Sequence, residues 1–306
     1  MSADWLERRW RELCGQVASL PPDWRAWAQS QLERGPVGLQ LAQQHGFGAG
    51  EHLPAGEYDA QRPASERTAA GQFFTPSALA DALVEQGLAA GAPLLGDVLD
   101  PACGAGELLC ALYRRRRRAG HSSAAALRGL IGWDRDPHAA WGAVASLVAE
   151  VVADPEGEIP AAIAIRGGVD ALEEPIEVDW VLMNPPYLEA KRMSALQPTL
   201  RKYLKGAIPD LEGAWDLYMA FLWRAVGWVR DGGRVSAVLP NKVCQGRYAA
   251  GFRERADLDL MALDDLSRMS PRPFPGTSVY PVLLCWGRTD APGSVRTRRV
   301  QSVAEL

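Results

Sequence analysis

Histidine is scarce in this chain, and cysteine is present without a pattern. The four histidines, His45, His52, His121 and His138, keep no metal-ligand spacing with a cysteine or carboxylate, so neither a zinc nor a non-haem iron centre is expected. Cys14, Cys103, Cys110, Cys244 and Cys285 are odd in number and scattered among apolar neighbours. That excludes a disulfide framework and predicts reduced, buried thiols in a cytoplasmic protein. Long hydrophobic runs are missing too: no stretch of about 18 apolar residues occurs, so no membrane span is expected. The first helix-like segment carries Asp4, Glu7, Arg8 and Arg9, which argues against a signal peptide. Excess positive charge is also lacking. With 33 Lys and Arg against 37 Asp and Glu, the net charge is −4, and any grip on nucleic acid must come from a local basic face or from a partner.

What is present is an ordinary globular composition, 47% hydrophobic and 23% charged over 306 residues, enough for a full α/β core with an appendage. The expected division is an N-terminal helical region and linker over residues 1–65 and one domain over 66–306. Residues 3–45 place Trp5, Leu6, Trp10, Leu13, Val17, Trp24, Trp27, Leu32 and Leu39 at helical spacing, with Pro21-Pro22 separating two helices. They read as helices packed on the main domain, the alternative being an aromatic docking face. Residues 46–63, rich in Gly, Ala and Pro, read as a linker or covering loop.

The stretch Gly71-Gln72-Phe73-Phe74-Thr75-Pro76 precedes a helix, with Thr75 placed to cap it and Pro76 at its first position. The two Phe residues either staple that helix or close over a planar ligand. Val98 to Glu107 then gives a strand, a tight loop with Gly104 and Gly106, and a helix. A dinucleotide fingerprint would need a third glycine where Leu109 stands. Asp100 and Glu107 also put negative charge where a pyrophosphate would lie, which suits a cationic or hydroxyl-bearing ligand instead. The basic run Arg114 to Arg118 ends that helix and reads as a solvated terminus complementing the helix dipole, ahead of a nucleic-acid contact.

A second strand, Leu130 to Asp134, ends in a carboxylate placed for ribose hydroxyls or, alternatively, capping the next helix. A third, from Ala164, leads to Asp170. The fourth, Asp179 to Asn184, runs into Pro185-Pro186-Tyr187. Two prolines fix the backbone and remove donors, so the Asn amide and the intervening carbonyls point in a set direction beside an aromatic ring. That is a seat for a planar amine or, taken alone, a Pro-rich turn. Alternating helices and strands predict an α/β, doubly wound, Rossmann-like sheet. A helix over 216–229, a strand over 234–239, further helix over 241–256 and a last apolar strand near 286, read as an antiparallel edge, complete it.

Taken together, GQFFTP, DPACGAGE and NPPY, in that order over about residues 66 to 290, resemble the amino-methyltransferases that methylate N6 of adenine in DNA. The match is to the subgroup whose cofactor motifs precede the catalytic one. The resemblance implies S-adenosyl-L-methionine as cofactor, with Phe73, Thr75 and Pro76 lining its pocket and Asp100, Ala102, Gly104 and Gly106 wrapping its methionine portion. Asp134 would take the ribose hydroxyls and Asp170 the cofactor's adenine amine. Asn184 and the Pro185 carbonyl would accept from the target amine, Pro186 would stiffen the turn, and Tyr187 would stack on the extruded base. Lys191 and Arg192, with Arg201, Lys202 and Lys205, are placed to hold phosphates, and Phe274 is a second stacking wall. Members that act alone carry a target-recognition domain after the catalytic one. No such segment follows here, which predicts a catalytic subunit with a separate recognition partner, or one of little sequence preference. The same chemistry on RNA adenine or on a protein glutamine amide, and a non-catalytic scaffold, stand as alternatives.

Overall fold

The computed structural model describes residues 3–45, 75–274, 279–288 and 294–306. Three helices come first, α1 (Ala3–Ala18), α2 (Pro22–Leu32) and α3 (Gly35–His45), followed by α4 (Ser77–Ala89). Strands and helices then alternate as β1 (Val98–Asp100), α5 (Glu107–Arg118), β2 (Leu130–Asp134), α6 (Pro137–Ala153), β3 (Ala164–Gly167) and β4 (Val178–Met183). After them come α7 (Ala190–Leu196), α8 (Pro198–Ala207), α9 (Leu217–Trp228), β5 (Val229–Pro240), β6 (Asp259–Asp265), β7 (Pro281–Gly287) and β8 (Arg296–Arg299). The expected α/β, doubly wound, Rossmann-like class is the one that forms. The chain groups into two compact units, the first from Met1–Pro63 with Leu94–Ala171 and the second from Ala64–Pro93 with Leu172–Leu306.

In the first unit β3, β2 and β1 lie side by side and parallel, with Asp100 opposite Gly132 and Asp134 opposite Gly167. The N-terminal region holds three helices where two were expected, because Gly35, at φ +73°, breaks the pattern after α2. Trp5, Trp10, Trp24 and Trp27 are all buried. Trp10 packs against Trp141 of α6 with ring centroids 6.3 Å apart, and Trp141 Nε1 donates to the Leu32 carbonyl at 3.0 Å. The tryptophan stripe is therefore core, not a docking face. The same helices also cover the chain entering the outer strand β3. Trp27 Nε1 donates to the Ala161 carbonyl, the Ile163 N–H donates to Gln31 Oε1, and Arg34 Nη1 donates to the Ile163 carbonyl. Capping an edge in this way leaves fewer backbone groups open to pairing with another strand.

The arginine run at the end of α5 differs from its sequence reading. Arg116 is fully buried, and its guanidinium donates to the carbonyls of Leu94, Gly96, Ala126 and Arg128. Arg114 pairs with Glu150 and Glu107, and Arg117 with Asp154 and Glu156. Arg116 thus ties the first unit together from within, and the pairs of Arg114 and Arg117 lie nearer its surface.

In the second unit the strands run in the order β4, β5, β7, β6, β8. β4 and β5 are parallel, whereas β7 is antiparallel to both neighbours. The last apolar strand is thus antiparallel as expected but central, since every residue of β7 is buried. The edge is β8, whose sequence Arg-Thr-Arg-Arg carries no apolar alternation. Helix α4 lies close over this sheet at Gly87. A methyl group there would stand 2.3 Å from the Trp180 ring and 2.8 Å from Ser236 Oγ, and Trp180 Nε1 itself donates to Ser236 Oγ at 3.0 Å. Residues 241–256, expected as one helix, form shorter helical pieces interrupted at Gly246.

Candidate functional site

The first unit gathers two acids at neighbouring strand ends. Asp100 closes β1 and Asp134 closes β2, and both are buried. Asp100 Oδ1 accepts from the Ala102 N–H at 3.1 Å, which starts the turn, and Asp134 Oδ2 accepts from the Gly104 N–H at 2.9 Å, which ties the loop to β2. Asp134 Oδ1 also accepts from the Asp136 N–H at 2.8 Å. The helix after β2 is capped by Asp136, which accepts from His138 N–H, so the capping alternative for Asp134 does not hold. Gly106 is obligatory: at φ +87° a methyl group would meet Ala143 at 2.9 Å. Gly104, at φ +52°, faces open space, with nothing within 4 Å of where a methyl group would stand. Val169 N–H donates to the Asp134 carbonyl at 3.2 Å, leading to the half-buried Asp170.

Burial drives the electrostatics here. It pushes the Asp100 carboxyl up to about 8 despite the Ala102 N–H, and the nearby Asp134 adds to the rise. The Cys103 thiol is raised by burial first and then by both acids. Buried carboxyls beside an open glycine suit a ligand that brings hydroxyl donors or positive charge, as S-adenosylmethionine does, and repel a phosphate. A cleft of about 410 Å³ also lies in this unit, lined by Arg34, Trp141, Arg166 and Gly167 among others. Asp100, Asp134 and Asp170 do not line it, whereas Val169, next to Asp170, does.

The second unit gathers Thr75, Asn184 and Tyr187. Asn184 follows the carboxyl end of β4, and Pro185-Pro186 carry the chain away from it. Asn184 Nδ2 donates to Thr75 Oγ1 at 2.9 Å, and Tyr187 Oη lies 2.5 Å from Asn184 Oδ1 and 2.8 Å from the Val238 carbonyl at the end of β5. Thr75 is not the helix cap: α4 begins at Ser77 with Pro76 at the cap position and no side-chain capping bond. Burial holds the Tyr187 phenol well above its ordinary range. Its ring meets Tyr218 edge-on at 6.1 Å, and the Tyr218 and Tyr248 hydroxyls are 2.5 Å apart. Asp216 accepts from the Ala190 N–H at 3.1 Å and so pins the chain beyond the Asn-Pro-Pro-Tyr turn. Sequence reading assigned no role to Val238, Tyr218 or Tyr248. Their contacts are tertiary, so no local pattern marks them.

Phe73 lies outside the described residues. Phe274 is buried. Lys191 is exposed and Arg192 half-buried on α7. On α8 only Leu204 is buried, leaving Lys202, Tyr203 and Lys205 exposed. Arg201 is instead held over the Trp215 ring at 4.9 Å, with a bond to the Gly213 carbonyl. Among the described residues, no helix is long and apolar enough to cross a membrane, and no cluster of three or more metal-ligating side chains occurs.

The fold is shared with solved structures. A class I S-adenosylmethionine-dependent methyltransferase from Listeria monocytogenes superposes with a TM-score of 0.54 at 14% identity, covering 98% of this chain and 94% of that one. Residues 161–260 match the Eco57I restriction-modification methylase family, in agreement with the resemblance carried by the motifs. The Type II methyltransferase M.BanIII of Aneurinibacillus aneurinilyticus is 26% identical over 213 residues, 64% of this chain and 35% of that protein. The release factor glutamine methyltransferase of Cereibacter sphaeroides is 38% identical over 86 residues, 28% of this chain and 30% of that protein. These aligned stretches span about a third of each relative's length.

Proposed function

We propose that this chain transfers a methyl group from S-adenosylmethionine to the exocyclic N6 amine of adenine in DNA, with a separate subunit choosing the sequence. The observation that carries the proposal is the Asn184 amide: a carbonyl oxygen held at a strand's carboxyl end, at the start of a turn stiffened by Pro185 and Pro186, with its NH2 end tied to Thr75. The lone pair of an adenine amine is delocalised into the ring. Acceptors at Asn184 Oδ1 and the Pro185 carbonyl draw the two N–H bonds out of the ring plane and turn that pair toward an electrophile. Positioning and electrostatics then supply most of the rate, without a side-chain general base.

The cofactor supplies a methyl group on a sulfonium; the chain's residues bind and aim. Asp134 takes ribose hydroxyls and Asp170 the adenine amine of the cofactor. Asp100, Ala102, Gly104 and Gly106 accommodate its methionine portion, with Phe73, Thr75 and Pro76 along the pocket. Tyr187 stacks on the target base, with Phe274 as a second wall, and Lys191 and Arg192 contact phosphates. A base inside a duplex must leave the stack to be reached, at a few kcal/mol, offset in part by aromatic stacking of roughly 1 to 3 kcal/mol. The match of residues 161–260 to restriction-modification methylases supports DNA as the substrate, and the net charge of −4 supports a partner that supplies further affinity.

A second reading, methylation of a protein glutamine amide, is favoured by the 38% identity to a release factor glutamine methyltransferase. Transfer of radiolabelled methyl to duplex DNA, RNA and protein, offered together, separates the two. Label in DNA alone is expected, and label confined to protein or RNA would overturn the DNA proposal.

A further inference from the structure

An asparagine amide has two ends that look alike in shape and differ in chemistry. Only with Oδ1 toward the incoming amine can Asn184 accept a hydrogen bond; turned over, it would aim an NH2 at another NH2. The Tyr187 hydroxyl does not by itself choose between these orientations. It carries one hydrogen and lies within reach of two acceptors, Asn184 Oδ1 at 2.5 Å and the Val238 carbonyl at 2.8 Å. Oδ1 has two lone pairs, so an amine can donate to it whether the phenol hydrogen stays on Oδ1 or turns to the Val238 carbonyl. Among the described residues, the hydroxyl contact that engages the NH2 end of this amide is Nδ2 donating to Thr75 Oγ1 at 2.9 Å.

Thr75 is well suited to that task. It is 7% exposed, so water does not readily replace it, and its hydroxyl is not engaged in capping α4. It stands 109 residues before Asn184 in sequence.

We propose that Thr75 is a positioning residue for the amide of Asn184, holding its NH2 end so that Oδ1 faces the target. The proposal rests on the reading of Asn184 as the acceptor of the target amine, and it gives Thr75 a role distinct from lining the cofactor pocket.

The test compares Thr75→Val, which keeps the shape and removes the acceptor, with Thr75→Ser, which keeps the hydroxyl. Both are measured by single-turnover methyl transfer, by calorimetry with S-adenosylhomocysteine, and by the ¹⁵N side-chain amide resonances of Asn184, assigned from their disappearance in Asn184→Ala. Loss of one donated hydrogen bond predicts a rate about 10- to 100-fold lower in Thr75→Val. S-adenosylhomocysteine affinity should fall by much less than the rate, the Asn184 amide resonances should shift, and Thr75→Ser should recover most of the rate. A Thr75→Val rate equal to wild type, a parallel loss of rate and cofactor affinity, or failure of Thr75→Ser to recover would each overturn it. If Thr75→Val does not fold, Thr75→Ser carries the comparison: retained rate and resonances support the role, and a large loss contradicts it. A rate left unchanged by Asn184→Ala refutes the reading of Asn184. The amide resonances still report whether Thr75 holds that side chain.

Discussion

Asp100 and Asp134 in the first unit and Asn184 in the second all stand at strand ends, yet the surrounding chain treats them differently. The acids are buried and receive backbone N–H groups from the loops that follow β1 and β2, so what is controlled there is charge. Asn184 is neutral and is met by hydroxyls from Thr75 and Tyr187, so what is controlled there is direction. The difference follows from the two tasks. A cationic, hydroxyl-bearing cofactor is selected by negative potential, whereas an aromatic amine becomes reactive only when its hydrogens are pulled out of the ring plane.

The contrast is broken most severely by Asn184→Ala. Removing the fixed acceptor should lower methyl transfer by about a hundred- to a thousandfold, as loss of one preorganised group at a reacting centre does. S-adenosylhomocysteine affinity, read by calorimetry, should stay near wild type. Near-normal turnover in that variant would remove the catalytic assignment.

Asp134→Ala should show the opposite pattern, with cofactor binding weakened by roughly ten- to a hundredfold and turnover at saturating cofactor much less affected. Because Asp134 Oδ2 also accepts from the Gly104 N–H, a melting curve should accompany the titration to separate loop loosening from lost ligand contact.

Asp100 sharpens the comparison through pH. Its carboxyl is raised from 3.8 to about 8, chiefly by burial, so the folded chain binds a proton there that the unfolded chain has released. Between about pH 4 and 8 this group therefore makes the ligand-free protein less stable as pH rises, and the trend levels off above about 8. A cation in its place favours the ionised form, so cofactor affinity should rise with pH by up to about tenfold per unit before levelling near the same value. Asp100→Asn should flatten both profiles. A wild-type affinity independent of pH from 6 to 9 would contradict the link.

The smallest expected effect on activity comes from Gly87→Ala, a packing change. The added methyl would meet the buried Trp180 ring at 2.3 Å, so a loss of about 1–3 kcal/mol in denaturant unfolding is expected, with cofactor affinity little changed. Wild-type stability would mean that α4 is less tightly seated than the distances imply.

Much of this was legible from local pattern. Short apolar runs leading to Asp100, Asp134 and Asn184 read as strands, and strands form there. The rest was hidden for identifiable reasons. β8 is a polar edge strand that exists because β6 offers it a partner, so no alternation marks it. Thr75 precedes a proline and a helix and so reads as a cap, but a contact 109 residues away claims its hydroxyl. Arg116 is disguised by its four arginine neighbours, although it continues the spacing of Leu109, Leu112 and Tyr113 on the buried face of α5.

The central claim concerns which atom receives the methyl group. Duplex DNA incubated with the protein and isotopically labelled S-adenosylmethionine, then digested to nucleosides and examined by mass spectrometry, reads that atom directly. Label in N6-methyldeoxyadenosine, absent when Asn184→Ala replaces the wild type, is the predicted result. Label on a cytosine, or in protein glutamine with none in DNA, would contradict the account.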